Sequence, residues 1–209
     1  MGTEIERRFL LKNPRWRPDG IKPVWLDQGR FALGNGTCGR VEYLWGLPRF
    51  DLTRAEEKIF SLLLPWQDGI GLIAEGIPEK LELTCFGMAT ELPSGWMARI
   101  RGYDDMRYVL DIKGPRSGTT RKEFGEYPVS AEEGRALLEL APQEQRLRKK
   151  RYTIPHQGHD WVLDVYADGK SRPTCEVELP SPTTPLDLPL WVGEEITDRK
   201  TFWTSTRQK

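Results

Sequence analysis

The sequence has few cysteines and no long apolar run. Cys38, Cys85 and Cys175 are odd in number and far apart, which fits neither a disulfide framework nor the paired ligand spacing of a zinc site. The longest apolar patch, residues 59–66, is too short to cross a bilayer. The first residues lack the basic and apolar run of a signal peptide. We therefore expect a soluble cytoplasmic protein with no membrane partner.

An excess of charge of either sign is also missing. The 209 residues include 31 Lys and Arg against 31 Asp and Glu, so the formal net charge is zero. Proteins that bind nucleic acid through a general electrostatic surface are basic, so nucleic acid is not an expected partner. Charged residues nevertheless make up 30% of the chain, and their positions carry the information. The length fits a single domain over residues 1–209 with a real core.

Strand-like segments dominate the pattern. They are short, alternate in polarity, and end at Gly, Pro, Asp or Ser, which is typical of antiparallel hairpins. The predicted strands cover residues 4–11, 96–102, 107–113, 121–129, 146–154, 160–166 and 174–179. The expected fold class is therefore mostly antiparallel β with added α-helix.

Two capping-box patterns predict helices within this β-rich chain. Thr53 is followed by Glu56 and an apolar run that ends before Pro65, and Ser130 is followed by Glu133 and a run that ends before Pro142. Residues 34–95 hold much of the Gly and Pro and have the least regular pattern. We interpret them as an insertion or subdomain of uncertain structure.

Like-charged residues are paired two apart on four of the predicted strands. Side chains at i and i+2 share one face of a strand, so each pair lies side by side. The pairs are Glu4 and Glu6, Arg99 and Arg101, Lys149 and Arg151, and Glu176 and Glu178. For any single strand, an ordinary solvated face is the simpler interpretation. Neighbouring like charges repel unless an opposite charge lies between them, so the repeated pattern predicts a bound ligand.

A closed or nearly closed barrel would bring these faces into one lumen, because alternate residues of every strand point inward. Arg and Lys would bind phosphate oxygens there. Carboxylate pairs would bind Mg²⁺ or Mn²⁺, which prefer oxygen ligands. Acids and bases in one such cavity indicate a site for a metal and a polyphosphate.

Seven charged motifs follow one another along the chain. They are Glu4-Ile5-Glu6-Arg7-Arg8, Arg99-Ile100-Arg101, Asp111-Ile112-Lys113-Gly114, Arg121-Lys122-Glu123-Phe124, Lys149-Lys150-Arg151-Tyr152, Trp161-Val162-Leu163-Asp164-Val165-Tyr166 and Glu176-Val177-Glu178-Leu179. In kind and order they resemble the motifs of the CYTH proteins, also called triphosphate tunnel metalloenzymes. The resemblance covers residues 1–12 and 96 to about 206.

The resemblance implies a closed tunnel of about eight antiparallel strands that hydrolyses a triphosphate with Mg²⁺ or Mn²⁺ as cofactor. The implied catalytic residues are Glu4, Glu6, Asp164, Glu176 and Glu178. The implied metal-binding residues are Glu4, Glu6, Glu123, Asp164, Glu176 and Glu178. The implied substrate-binding residues are Arg8, Arg99, Arg101, Lys113, Arg121, Lys149 and Arg151. The substrate would be inorganic triphosphate, a small organic triphosphate or polyphosphate.

Three departures from the family pattern bear on this interpretation. Arg8 stands where a Lys is customary, which keeps the charge and changes its shape. Gly125 stands where many members have a second Glu, and Glu126 is one residue out of phase. The family's second strand matches residues 26–31 or residues 80–86, and the sequence leaves both open.

Other functions remain open on the same residues. One fold hosts several activities, so a class IV adenylyl cyclase-like activity and a non-catalytic polyphosphate- or nucleotide-binding module are alternatives to hydrolysis. Residues 34–95 are also a candidate surface for a protein partner, and a homodimer is a further option.

Overall fold

The computed structural model describes residues 2–44, 47–55, 57–63, 82–84, 87–92, 94–197 and 199. The described chain is mostly antiparallel β-strand with one α-helix, α1 (Ala131–Leu140). The strands are β1 (Gly2–Leu11), β2 (Val24–Ala32), β3 (Thr37–Leu44), β4 (Leu47–Arg54), β5 (Glu57–Leu63), β6 (Glu82–Thr84), β7 (Gly87–Leu92), β8 (Met97–Tyr103), β9 (Arg107–Ser117), β10 (Thr120–Val129), β11 (Arg146–His156), β12 (His159–Tyr166), β13 (Thr174–Glu178) and β14 (Val192–Glu195). All seven predicted strands are present within a few residues of their expected ends.

The larger sheet has nine strands in the order β10-β9-β8-β2-β11-β12-β13-β1-β14. β10 also pairs with β1, which closes eight of these strands into a β-barrel. The expected fold class is therefore confirmed. β2, which contains residues 26–31, is the second strand of the larger sheet along the chain and pairs with β8 and β11. Within the alternative stretch, residues 80–86, the described strand β6 belongs to the smaller sheet.

The smaller sheet has five strands in the order β5-β4-β3-β7-β6, all from the predicted insertion at residues 34–95. The helix expected after Thr53 is wrong, because the chain continues from β4 through a turn into β5. Ala55 adopts a left-handed backbone with φ 49°, and β5 then pairs antiparallel with β4. Phe50 and Leu52 are fully buried two residues apart, a strand period. Strand pairing therefore overrides the local helix signal.

The second predicted helix is confirmed as α1. The Ser130 hydroxyl accepts a hydrogen bond from the Glu133 backbone N–H, and the Glu133 carboxylate accepts one from the Ser130 backbone N–H. This reciprocal cap satisfies two N–H groups that a helix end otherwise leaves unbonded. Gly134 lies directly against the buried Tyr108 ring, where a β-carbon would be 2.2 Å from the nearest ring atom. A larger residue at this position would push the helix off the core.

The chain forms two compact units, each with its own apolar core. The first unit comprises residues 1–2, 28–115 and 122–146, and the second comprises residues 3–27, 116–121 and 147–209. The core of the first unit is centred on aromatic and aliphatic residues such as Phe31, Phe50 and Ile100. The core of the second contains Phe9, Trp161 and other residues of β1, β12 and β13. The expectation of a single domain over residues 1–209 stays a prediction.

Among the residues that the structure describes, no helix has the length and apolar character needed to cross a membrane.

Candidate functional site

In the second unit, four neighbouring strands place their charged residues on one face. Glu6 lies opposite Glu178 and Arg8 opposite Glu176, while Arg151 lies opposite Asp164. Residues directly opposite one another in an antiparallel pair share a face, and alternation puts the intervening residues on the other. The other face carries Phe9, Tyr152, Trp161, Leu163, Cys175 and Val177, which form the core of this unit. The core therefore fixes which side chains are on the charged face.

Three carboxylates converge on this face. Glu4, Glu6 and Glu178 each offer an oxygen, and these atoms all lie within 4.8 Å of one another. Glu6 is buried, Glu4 is half-buried and Glu178 is exposed. Hard divalent cations bind oxygen ligands at about 2.0 to 2.6 Å, so oxygens across such an ion are roughly 4 to 5 Å apart. The spacing and chemistry of the three carboxylates therefore fit Mg²⁺ or Mn²⁺.

The buried Glu6 carboxylate has a shifted pKa. Burial raises the pKa of Glu6 above its ordinary value, and the negative charge of Glu176 raises it further, while Arg8 opposes the shift. Arg8 and Arg116 both contact the same Glu6 oxygen. Buried acids that repel one another favour a cation in their midst. In this structure Arg8 and Arg116 supply positive charge to the carboxylate cluster.

Arg8 links the carboxylates to the next group of charges. Its Nε lies 3.4 Å from the Glu176 carboxylate. Its backbone N–H donates to the Thr197 hydroxyl at 3.0 Å, and that hydroxyl donates to Glu195 at 2.7 Å. Glu195 in turn accepts two hydrogen bonds from Arg7. The Glu195-Ile196-Thr197 segment therefore fixes the β1 backbone beside Arg8.

Asp164 binds two cations instead of joining the carboxylates. Arg151 donates to both Asp164 oxygens at 2.8 Å and to Glu176 at 3.2 Å, and Lys149 Nζ contacts Asp164 as well. Burial alone raises the pKa of Asp164, but Lys149 and Arg151 outweigh it and the pKa is lowered. Burial lowers the pKa of Lys149 to about 8, although Asp164 opposes the shift. These groups form a buried, charge-assisted network.

The first unit has a charged cluster of its own on β8, β9 and β10. Asp111 is fully buried and binds Arg99 Nη2 at 2.9 Å and Arg101 Nη2 at 2.8 Å. Burial raises the pKa of Asp111, but the two arginines outweigh it, so the pKa is lowered. Lys113 Nζ lies 2.8 Å from Glu123, and Arg101 also contacts Glu126. Each acid of this cluster is held by a cation.

The expected site residues thus fall into two groups. In the second unit the structure brings together Glu4, Glu6, Arg8, Lys149, Arg151, Asp164, Glu176 and Glu178. In the first unit it brings together Arg99, Arg101, Lys113 and Glu123 with Asp111. Arg121 is half-buried in the second unit. The assignment of metal-binding, catalytic and substrate-binding roles to these residues stays a prediction.

Two residues of the second unit were missed by the sequence reasoning. Arg116 contacts Glu6, although strict alternation from Lys113 places it on the opposite face. Tyr166 lies opposite Lys149, and its hydroxyl is 3.0 Å from that of Thr174. Burial and then the charge of Asp164 raise the pKa of Tyr166 to about 12. The strand phase of Asp164 already placed Tyr166 on the charged face, so this residue could have been found.

Comparison with known proteins gives one relative of interest. The chain is 30% identical over 100 residues to a protein named inorganic triphosphatase from Acetivibrio thermocellus. The match covers 47% of this chain and 63% of that protein, so the chain spans less than two thirds of the relative. No family model matches the sequence. A search of solved structures gives no significant match.

Proposed function

We propose that this protein is a metal-dependent triphosphatase that hydrolyses inorganic triphosphate or a small organic triphosphate. The observation that carries the proposal is the convergence of Glu4, Glu6 and Glu178 on a sheet face that also holds Arg8 and Arg151. Carboxylates beside cations on one face suit a divalent metal and a chain of phosphates. The relative named inorganic triphosphatase supports the same reaction class.

Glu4, Glu6 and Glu178 would hold the cation, with Glu176 beside them. A bound Mg²⁺ or Mn²⁺ supplies charge stabilisation at the phosphoryl oxygens and lowers the pKa of water. The donor set fits such an ion because it consists of carboxylate oxygens, the ligands that hard cations prefer. Burial and the negative charge of Glu176 raise the pKa of Glu6, so a bound cation would stabilise the ionised carboxylate.

The cations of the second unit would bind the phosphate oxygens. Arg8 and Arg151 present planar guanidinium groups that can donate two hydrogen bonds to a phosphate, and Lys149 adds a point charge. Asp164 and Glu176 both contact Arg151 Nη2, and Asp164 also contacts Lys149. These side chains are therefore oriented before a ligand arrives. Preorganised charges of this kind contribute most of the stabilisation in phosphoryl transfer.

Arg99, Arg101 and Lys113 in the first unit, together with Arg121 in the second, would also bind phosphate oxygens, as the family resemblance implies. Support comes from the Asp111 carboxylate, which holds both Arg99 and Arg101 at fixed distances of 2.9 and 2.8 Å. Guanidinium groups held in this way lose little conformational freedom when a phosphate binds.

Water is the proposed nucleophile. Cys175 is buried among core residues, and burial and then Glu176 raise the pKa of its thiol to about 12. Tyr166, with a pKa of about 12, also stays protonated at neutral pH. Neither side chain is an activated nucleophile. One of the carboxylates on the charged face would accept the proton of the attacking water.

A screen of phosphate release tests the proposal. The purified protein is incubated with inorganic triphosphate, long-chain polyphosphate, thiamine triphosphate or nucleoside triphosphates, each with Mg²⁺, Mn²⁺ or excess EDTA. We expect metal-dependent phosphate release from at least one triphosphate and none in EDTA. Formation of cyclic AMP and pyrophosphate from ATP would instead identify a cyclase. A thermal shift with triphosphate but no product after prolonged incubation would identify a binding module.

A further inference from the structure

Arg116 lies at the end of β9, beside the carboxylate cluster of the second unit. The turn that follows it is tied to Glu6, because the Glu6 backbone N–H donates to the Thr119 carbonyl at 2.9 Å. Within that turn the Thr120 hydroxyl donates to the Ser117 carbonyl at 2.8 Å. The Arg116 guanidinium then contacts the Glu6 carboxylate through Nη2. Backbone and side chain thus both fix Arg116 next to Glu6.

The second amino group of Arg116 has a different environment. Nη1 is buried and, among the described residues, makes no hydrogen bond. The side chain is 17% exposed. A buried donor without an acceptor is costly, and a charged one more so, so this atom favours an incoming oxygen ligand. Arg116 therefore has one amino group on Glu6 and one for another acceptor.

The charges around Glu6 are closely balanced. Arg8 and Arg116 face it as cations, and Glu4 and Glu176 as anions. A divalent cation bound by Glu6 would add two positive charges. It would weaken the attraction between Glu6 and the two arginines and would repel their guanidinium groups. A triphosphate would at the same time bring new negative oxygens. Coulomb interactions at a few ångströms are large enough to exchange such partners.

We propose that Arg116 is a substrate-binding residue that changes partners: its guanidinium neutralises Glu6 before the divalent metal binds, and binds a phosphate oxygen once the metal takes Glu6. This inference rests on the proposed function and adds a residue to it. Arg116 thereby competes with the metal for Glu6 and contributes to phosphate binding.

The two roles predict effects of opposite sign when the charge is removed. In Arg116→Met the metal no longer competes with a guanidinium, so its binding tightens by about tenfold. The same variant loses a phosphate contact, so triphosphate binding weakens by about tenfold. A residue that only supports the local fold would weaken both. Arg116→Lys keeps the charge, so its metal affinity stays close to that of the wild type.

Calorimetric titration tests this without any turnover. Wild type, Arg116→Met and Arg116→Lys are titrated with Mn²⁺ alone, and separately with a non-hydrolysable triphosphate analogue in saturating Mn²⁺. Arg107→Met is the matched control, because Arg107 is an exposed arginine of the same strand that stacks on Tyr103. Thermal unfolding of each variant shows that it is folded.

Tighter Mn²⁺ binding together with weaker triphosphate binding in Arg116→Met, with Arg107→Met within twofold of wild type on both, supports the proposal. Mn²⁺ affinity that is unchanged or weaker in a folded Arg116→Met overturns it, as does unchanged triphosphate affinity. If the wild type releases phosphate in the metal-dependent screen, such a result refutes only the role of Arg116. If the wild type binds no Mn²⁺ at all, the proposed function fails as well.

Discussion

The charged clusters of the two units differ in how their acids are used. In the first unit the buried Asp111 is shared by two arginines, and Glu123 and Glu126 each pair with a cation. In the second unit three carboxylates meet within 4.8 Å, and burial and neighbouring acids raise the pKa of Glu6. Removing an acid that pairs with buried cations destabilises a fold, whereas acids that repel one another at short range favour the binding of an added cation. Among the residues that the structure describes, we therefore propose the carboxylates of the second unit as the metal ligands.

The largest expected effect comes from the buried acid of the first unit. Asp111→Asn leaves the buried Arg101 and the half-buried Arg99 without their shared anion, which costs about 3–5 kcal/mol in the free energy of unfolding. Urea denaturation in EDTA measures it. Glu194→Gln is the control, because it removes an exposed ion pair with Arg199 whose loss costs at most about 1 kcal/mol. Equal stability losses in the two variants would show that Asp111 is not the structural acid described here.

Substitutions of Glu6 and Glu123 test whether the two charged clusters contribute differently to catalysis. Glu6→Gln removes a proposed metal ligand, so kcat for triphosphate hydrolysis falls by about a hundredfold or more. Glu123→Gln removes an ion-pair partner of Lys113 that lies outside the three converging carboxylates, so kcat falls by about tenfold or less. Phosphate release at saturating Mn²⁺ measures both. A loss for Glu123→Gln as large as that for Glu6→Gln contradicts the assignment of metal binding to the second unit.

The stability of the first unit should depend on pH in the acid range through Asp111. The pKa of Asp111 is lowered in the folded protein, so its contribution to stability is fully present above about pH 4, the ordinary value for Asp. It is lost as the pH falls through the lowered pKa. Unfolding free energy measured from pH 5 to pH 2 should fall less steeply in Asp111→Asn than in the wild type. The same slope in both proteins would show that the two arginines do not hold this carboxylate ionised.

The smallest effect concerns the helix of the first unit. Ser130→Ala removes one half of the capping box of α1 and costs about 1 kcal/mol in unfolding free energy. Mn²⁺ affinity should not change, because the metal ligands proposed here lie in the second unit. Thermal unfolding and calorimetry measure the two quantities. A change in Mn²⁺ affinity in this variant would link the helix to the metal site and weaken the separation of the clusters.

Alternation along strands was sufficient to predict most of the barrel and the face on which its charges lie. Glu4, Glu6 and Arg8 are on one face because Ile5 and Phe9 pack into the core, and period 2 leaves no other choice. The same rule missed Arg116, which follows Pro115, a residue that cannot donate a ladder hydrogen bond. Alternation also could not predict which acids form ion pairs, because the partners of Asp164 depend on the register of β11 and β12.

Local signals failed where tertiary pairing decided the outcome. Thr53 and Ser130 begin the same capping-box pattern, yet only Ser130 begins a helix. After Ser130, Gly134 and Leu137 give α1 a buried side that fits the core of the first unit. After Thr53 the chain pairs with β4 and forms a hairpin. A cap favours a helix by only about 1 kcal/mol, less than a hairpin that buries apolar residues can gain.

A crystal structure with Mn²⁺ and a non-hydrolysable triphosphate analogue would show where the metal and the phosphates bind. We expect an anomalous manganese peak at about 2.0–2.6 Å from oxygens of Glu4, Glu6 and Glu178. We also expect phosphate oxygens bound to Arg8 and Arg151. A manganese peak at other residues, or none while Glu6 keeps its contacts with Arg8 and Arg116, would contradict the proposed metal site.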